Sequence, residues 1–256
     1  MSFSADAREL TSYDGAPVAG LAERWSLPAV HAFAAIGSTL DVAHALAPAA
    51  ASGTLIIADE QTAGRGRQGR RWTSAPGAGV WLTLIERPSD ARALDVLALR
   101  CGLFAAESLD GLTAGPVRVK WPNDLYVGER KLAGTLIETR WRGTAPEWVA
   151  VGFGLNVLQP DLDTAVGLKS GVSRLAALDR IVPALRRAAN TSRYLSDDEL
   201  VRWRARDLAI GQQVVTPAVG VVDGINAAGE LLIRTIDGVV AHRSGSLTFA
   251  EPLTCS

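Results

Sequence analysis

The stretch GRGRQGRRW, residues 64–72, decides how the chain is read. Gly64, Gly66 and Gly69 form the pattern G-x-G-x-x-G, the fingerprint of a dinucleotide-binding fold, and four arginines (Arg65, Arg67, Arg70 and Arg71) crowd the same stretch. That fingerprint needs a strand before the glycines and a long helix opening directly after them, because the helix N-terminus carries the pyrophosphate. The strand is present as TLIIADE (54–60). The helix is not: RRWTSAPGAG places Pro76, Gly77 and Gly79 where its first turns would run, and the next element, VWLTLIE (80–86), has strand character. A doubly wound dinucleotide domain is excluded. What remains is a glycine-permitted, arginine-rich loop between two strands, suited to wrapping one small anionic ligand, with Trp72 available to stack on a base.

The loop is a local exception in its chain. The 256 residues carry 26 Lys and Arg against 27 Asp and Glu, a net charge of −1, yet no acid occurs from Gln61 to Ile85. A near-neutral chain argues against a protein built to coat nucleic acid, although arginine beside tryptophan suits phosphates and stacked bases. With 48% hydrophobic and 21% charged residues, the chain can bury a substantial core as one large domain or a large and a small one. Its two cysteines, Cys101 and Cys255, and three scattered histidines contain no C-x-x-C, so neither a zinc site nor a disulfide framework is expected. Cys101 falls on the apolar stripe of a helix and reads as a buried thiol. No run reaches membrane-spanning length and no basic segment leads into an apolar one, which gives the expectation of a cytoplasmic protein with no membrane partner.

Organisation follows from periodicity. Residues 1–28 contain Gly15, Pro17, Gly20 and Pro28 and read as an irregular N-terminal arm, packed through Trp25. From VHAFAAI onward, strands and helices interleave, with an alanine-rich helix expected at 42–51. Apolar residues recur at helical spacing from Leu94 to Leu109, predicting an amphipathic helix over 91–109. VRVKW (117–121), DLYV (124–127), KLAGTLIETR (131–140) and EWVAVGFGLNV (147–157) read as strands, with GER as a hairpin turn. Helices are expected at 172–190 and 196–207, the second opened by Ser196 and Glu199 in capping-box spacing. After Gly211 the texture changes to short strands and turns, predicting a small β-barrel.

A second dense stretch is KWPNDLYVGERKLAG (120–134). Lys120, Asn123, Asp124 and Lys131 lie on a hairpin whose alternating residues converge on one face. Taken singly, each has an ordinary structural reading: turn chemistry for Asn123 and Asp124, exposed strand positions for the lysines.

Taken together, DEQTAGRGRQGRRW, KWPNDLYVGERKLAG and VGFGLN closely resemble, in order and approximate spacing, the biotin protein ligases. The resemblance covers roughly residues 30–250. It implies an α/β (α+β) fold: a mixed-sheet catalytic domain related to lipoate ligases at 29–208, then an SH3-like β-barrel at 209–256. It also implies a two-step reaction, in which biotin and Mg2+-ATP give biotinoyl-AMP and a lysine of a biotin carboxyl carrier domain then takes the biotin as an amide. Two anions must meet in the first step. At roughly 4 Å and an effective dielectric near 20, their repulsion is about 4 kcal/mol, which a fixed cation removes.

The resemblance identifies that cation as Lys131, between biotin carboxylate and α-phosphate. Arg65 and Arg67 resemble loop arginines that close over the ligand, and closure excludes water from the mixed anhydride. Ser38, Thr39, Gln61, Gly64, Arg65, Lys131 and Gly134 match the biotin-binding positions. Arg67, Arg70, Trp72, Lys120, Asn123, Lys131 and Asn156 match those toward ATP. For Asp124 three roles stand: accepting the carrier lysine's proton, helping to hold magnesium, or turning the strand. No metal-ligating cluster of protein side chains is expected.

Two positions depart from the family pattern. Leu40 stands in GSTLDVA where asparagine is common, and Ser38 to Asp41 reads equally as a helix cap. In SGSLTFAEP, Ser246 stands where the family has an acid, and no arginine follows. Alternatives are a lipoate or octanoate ligase, or a non-catalytic biotin-binding protein. About 30 residues precede the matched region, too few for a winged helix, so DNA is not an expected partner. The sequence leaves monomer and homodimer open.

Overall fold

The computed structural model describes residues 8–191 and 194–251, so Cys255 lies outside the described residues. The first described segment is not an irregular arm. Strands β1 (Ser12–Tyr13) and β2 (Ala16–Pro17) form a hairpin, followed by helix α1 (Val18–Arg24). The cause is Asp14-Gly15, whose φ values of 50° and 84° supply the two left-handed residues a tight two-residue hairpin turn requires. Tyr13, Leu21 and Trp25 are buried beneath it, and the Trp25 indole donates to Asp179 Oδ1 at 2.9 Å.

The main sheet follows, built from β3 (Val30–Ile36), β4 (Thr54–Gln61), β5 (Gly79–Glu86), β6 (Val117–Lys120), β7 (Asp124–Val127), β8 (Arg130–Arg142) and β9 (Ala145–Asn156). Its seven strands lie in the order β3-β4-β5-β9-β8-β7-β6. Only β3 and β4 run parallel, joined by helix α2 (Thr39–Leu46); every other neighbour is antiparallel, so the sheet is mixed. Helix α2 ends earlier than the alanine content of 42–51 suggests. Ser38 caps its start, accepting from Leu40 N at 3.3 Å, and Pro48 forbids continuation.

Helices α3 (Arg92–Leu109) and α4 (Arg174–Ala189) cover the opposite face. Strand alternation therefore serves two cores. In β9, Val149, Val151, Phe153 and Leu155 join the larger core with α3 and α4, while Trp148 and Ala150 join a smaller one with Leu40, Val42 and Ala43 of α2. Cys101 lies wholly inside the larger core, where burial pushes its thiol up to about 12.

Helix α5 (Asp197–Arg206) carries the expected capping box, Ser196 Oγ accepting from Glu199 N at 3.2 Å and Glu199 Oε2 from Ser196 N at 2.9 Å. The same Glu199 pairs with the fully buried Arg100 of α3 at 2.6 Å. Strands β10 (Gln213–Thr216), β11 (Gly220–Ile225), β12 (Leu231–Thr235), β13 (Gly238–His242) and β14 (Thr248–Phe249) then form a separate five-stranded antiparallel sheet, ordered β13-β12-β11-β10-β14. Among the described residues no pairing joins β13 to β14, so hydrogen bonding does not close this small domain into a full barrel. It is fixed to the main sheet by Trp121, a 2% exposed side chain whose indole donates to the Gly229 carbonyl at 3.1 Å.

Asp207 sits at this junction, 1% exposed. Its Oδ1 accepts from Ala209 N at 2.9 Å and its Oδ2 from the Trp203 indole at 3.3 Å. Burial outweighs these bonds and pushes its carboxyl up from 3.8 to about 6. An acid whose folded pKa exceeds its unfolded value favours folding while protonated. Its contribution is complete below about pH 4 and is lost as pH rises through about 6. Urea midpoints measured between those values should fall more steeply in the wild-type protein than in Asp207→Asn, which cannot titrate. Parallel profiles would overturn the assignment.

Candidate active site

The site lies on the α2 face of the sheet, where its central strands lose their side chains. On β9 the positions that follow Trp148 and Ala150 in alternation are Gly152 and Gly154, and Gly134 of β8 pairs directly with Gly154. Thr83 of β5 is the small polar residue on the same face. These positions open a cavity of about 140 Å³.

Its cationic end depends on a bulge. Along β8, Lys131 and Gly134 are three apart and would normally point to opposite faces. Leu132 is an extra residue in the pairing with β7: Gly134 opposes Asp124, Ala133 opposes Leu125, and Lys131 opposes Tyr126. Lys131, Gly134 and Asp124 thus share one face, and Lys131 Nζ meets Asp124 Oδ1 at 2.7 Å. The ammonium also stands 5.1 Å from the centroid of the Trp72 ring. The Lys131 backbone is held on both sides. Its N–H donates to the Thr164 carbonyl at 2.8 Å, and its carbonyl accepts from Val166 N at 2.9 Å and Asn156 Nδ2 at 3.3 Å.

The opposite end is polar and neutral. Gln61, the last residue of β4, accepts through Oε1 from Thr39 N at 2.9 Å, Thr39 Oγ1 at 3.1 Å and Ser38 Oγ at 3.4 Å. Its Nε2 donates to Ser74 Oγ at 3.0 Å, and Thr83 Oγ1 donates to Thr39 Oγ1 at 2.8 Å. Between the two ends, Leu40 and Leu136, which opposes Gly152 across the β8–β9 pairing, give an apolar wall. Leu40, 3% exposed, packs toward Gly152. Thr135 Oγ1 and the Trp72 Nε1 are buried with no hydrogen-bond partner among the described residues.

The arginine loop folds back on itself across this cavity. Gly66 N donates to the Arg70 carbonyl at 2.7 Å and Trp72 N to the Gly64 carbonyl at 2.9 Å, with a single tight turn at 67–69. No long helix follows, as the rejection of the dinucleotide fingerprint requires. Arg67 donates to Asn123 Oδ1 and to the Gly245 carbonyl, each at 3.3 Å, and burial holds its guanidinium below its ordinary pKa despite nearby Asp124. Gln68, at φ 58°, accepts from Ser246 Oγ at 3.1 Å. The small β domain therefore touches the tip of the loop through Gly245 and Ser246, one of the two family departures. Arg70 and Arg71 turn to the carbonyls of Arg67 and Thr62 and pair with no carboxylate among the described residues.

Most residues selected from sequence thus line one cavity: Ser38, Thr39 and Gln61 at one end, Asp124, Lys131 and Gly134 at the other, with Trp72, Asn123 and the arginines of the loop around the mouth. Three lie outside that lining. Gly64 borders the outer side of the loop, where a Cβ would stand 2.5 Å from the Trp72 carbonyl. Asn156 reaches only the backbone of Lys131, donating to its carbonyl. Lys120 sits 4.9 Å from the Phe249 ring and 5.6 Å from Tyr126, and burial lowers its pKa. Sequence reading missed Thr83, Ser74 and Thr135. For Thr83 a signal existed, since it is the one polar residue within the apolar run VWLTLI.

A mixed sheet carrying an amide-and-hydroxyl cluster at one end of a cavity and a lysine under an arginine loop at the other defines a class of protein whose site suits a ligand with an uncharged polar end and an anionic end. Residues 33–156 match the model of the biotin/lipoate A/B protein ligase family. The bifunctional ligase/repressor BirA of Escherichia coli is 34% identical over 222 residues, covering 78% of this chain and 68% of that protein. The biotin–[acetyl-CoA-carboxylase] ligase of Paracoccus denitrificans is 32% identical over 211 residues, covering 74% of this chain and 87% of that one. Among solved structures, the biotin protein ligase of Aquifex aeolicus in complex with biotin and ATP superposes with a TM-score of 0.70 at 28% identity, over 86% of this chain and 99% of that one. The chain belongs to the biotin/lipoate A/B protein ligase family, among its biotin protein ligases.

The Trp72–glycine contact gives a direct check. A Cβ at residue 154 would lie 2.8 Å from Trp72 Cε2 and 2.9 Å from Nε1, and a rigid indole cannot yield locally. Gly154→Ala should cost about 1–3 kcal/mol in urea unfolding and alter the near-ultraviolet circular dichroism of the tryptophans. An unchanged spectrum would mean that the indole does not rest on this backbone.

Proposed function

We propose that the protein is an ATP-dependent ligase that activates biotin as biotinoyl-AMP and transfers it to a lysine of a biotin carboxyl carrier domain of a carboxylase. The observation that carries this reading is the bulge-directed Lys131, which lines the same cavity as the Gln61 cluster and Trp72. Biotin has a cyclic urea at one end and a carboxylate tail at the other. The Ser38, Thr39 and Gln61 groups suit the urea, the wall of Leu40 and Leu136 suits the ring and tail, and Lys131 meets the carboxylate. Leu40 contributes packing where a hydrogen-bonding side chain is common.

In the first step a biotin carboxylate oxygen attacks the α-phosphorus of ATP and pyrophosphate leaves. Lys131 draws the two anions together and stabilises the charge shared between them. Asp124 orients the Lys131 ammonium through their 2.7 Å contact. Arg67, Arg70 and Trp72 face the nucleotide, with Asn123 holding Arg67; Asn156 supports the Lys131 strand, and Lys120 adds charge beneath the small β domain. In the second step the carrier amine, once neutral, attacks the acyl carbonyl and AMP leaves, with Asp124 the nearest carboxylate to take its proton. Magnesium enters with ATP. Asp124 is the one carboxylate lining the cavity, and among the described residues no three His, Cys, Asp or Glu side chains are grouped to hold a metal. Phosphates and water would therefore supply most of its ligands.

We read residues 29–208 as the catalytic domain and 209–256 as the small β domain, in a cytoplasmic monomer or homodimer with no role on DNA. Among the described residues no helix is long and apolar enough to cross a membrane, and the basic cluster is confined to one loop.

The test is the intact mass of an apo carrier domain after incubation with the protein and Mg2+-ATP, with biotin, lipoate and octanoate offered together. A biotin-sized increment is expected; a lipoate or octanoate increment, or none, would overturn the reading. Lys131→Ala should lower the rate of adenylate formation by about 10²–10³-fold, the scale of losing one preorganised charge partner, measured as biotin-dependent pyrophosphate release. Undiminished release would remove Lys131 from its role.

A further inference from the structure

Arg65 differs from the other arginines of the loop in its partners. Its guanidinium lies 3.0 Å from Asp41 Oδ1 and 3.6 Å from Glu138 Oε2. The two acids come from separate elements. Asp41 occupies the first turn of α2, where the helix dipole favours a negative charge. Glu138 lies on β8, on the face that carries Gly134 and Leu136, and its Oε2 is also in contact with His44 Nε2 on α2. Neither acid lines the cavity. Glu138 instead borders the outer side of the loop.

An arginine flanked by two carboxylates is a poor attractor for a third anion. Its position is what matters: Arg65 forms a backbone bridge with Arg71, so holding its side chain holds the base of the folded-back loop. The tip is held independently, through Arg67 on Asn123 and Gly245 and Gln68 on Ser246. The loop spans the mouth of the cavity between two anchors, one ionic at the base and one hydrogen-bonded at the tip.

We propose that Asp41 and Glu138 are positioning residues that act through Arg65, latching the loop over the cavity so that the acyl-adenylate is retained between the two half-reactions. This rests on the biotin ligase reading. An open loop admits water, which attacks the acyl carbonyl; the acyl–phosphate oxygen bond breaks, and biotin and AMP leave. The latch therefore governs a side reaction, while the chemistry of activation and transfer belongs to Lys131 and its neighbours. Both ion pairs are partly exposed, with side-chain accessibilities of 40% for Arg65, 59% for Asp41 and 30% for Glu138, so each acts weakly and their joint removal is the informative change.

The experiment follows pyrophosphate release from biotin and Mg2+-ATP without carrier, comparing wild type with Asp41→Asn/Glu138→Gln. Wild type should give a burst of one equivalent per site, then a slow phase set by loss of the adenylate. The double variant should keep the burst and speed the slow phase about fivefold, while Asp41→Glu/Glu138→Asp, which keeps both charges, restores it toward the wild-type rate. An unchanged slow phase after a normal burst overturns the latch. A slower one overturns it too, since it would mean that the acids compete with the ligand for Arg65. Loss of the burst in wild type itself would instead overturn the biotin ligase reading, which keeps the two failures distinct.

Discussion

The indole of Trp72 presses against the backbone of Gly154 and close to Gly134, and much of the site follows from that contact. Two central strands of a well-packed sheet leave bare backbone on one face, so an aromatic ring enters where a side chain would otherwise stand. The opposite face of the same strands does the reverse, with Val151, Phe153 and Leu155 locked into the main core by α3 and α4. The cavity floor is therefore rigid although it is glycine. Its conformational freedom is removed by antiparallel neighbours on both sides and by the layer beneath.

Charge is arranged with similar economy. The loop carries four arginines and no acid of its own. Its compensation comes from distant parts of the chain, Asp41 in α2 and Glu138 in β8, while Asp124 in β7 serves Lys131. Acids thus meet the cations at the base of the loop and at Lys131. Among the described residues Arg70 and Arg71 turn only to backbone carbonyls, so positive charge remains at the mouth, which favours the approach of an anion.

Much of this was legible in the sequence, and the exceptions have definite causes. Strand alternation and helical spacing located β4, β5, β8, β9 and α3 to within a residue or two, because each buries one or both faces against a core. The D-G turn at Asp14-Gly15 was overlooked in a segment whose strands are two residues long, too short to show a period. The helix at 42–51 was misplaced because alanine content says nothing about where a serine cap and a proline set the ends. The extra residue at Leu132 was invisible, since period-two reasoning assumes unbroken pairing; the KLAG motif pointed to Lys131 and Gly134 by family likeness, while the bulge is the physical reason they face the same way. The partners of Arg65 were out of reach for another reason. Asp41 and Glu138 lie far from the loop in sequence, and only the parallel β3–β4 crossover and the β8–β9 pairing bring them to it.

The contacts of the small β domain with the loop tip have a consequence for assembly. Arg67 meets Gly245, and Gln68 meets Ser246, across a separation of 178 residues in each case. The contacts of Gln61 with Ser38 and Thr39, by contrast, join residues 22 and 23 apart and stand within one crossover unit. Closing a long stretch of chain costs more entropy than closing a short one, and contacts of high sequence separation become favourable only once the intervening structure is in place. The two ends of the cavity thus differ in what they require of the chain: the neutral end is complete once the main sheet is formed, whereas the cover over the cationic end also requires the last domain in place.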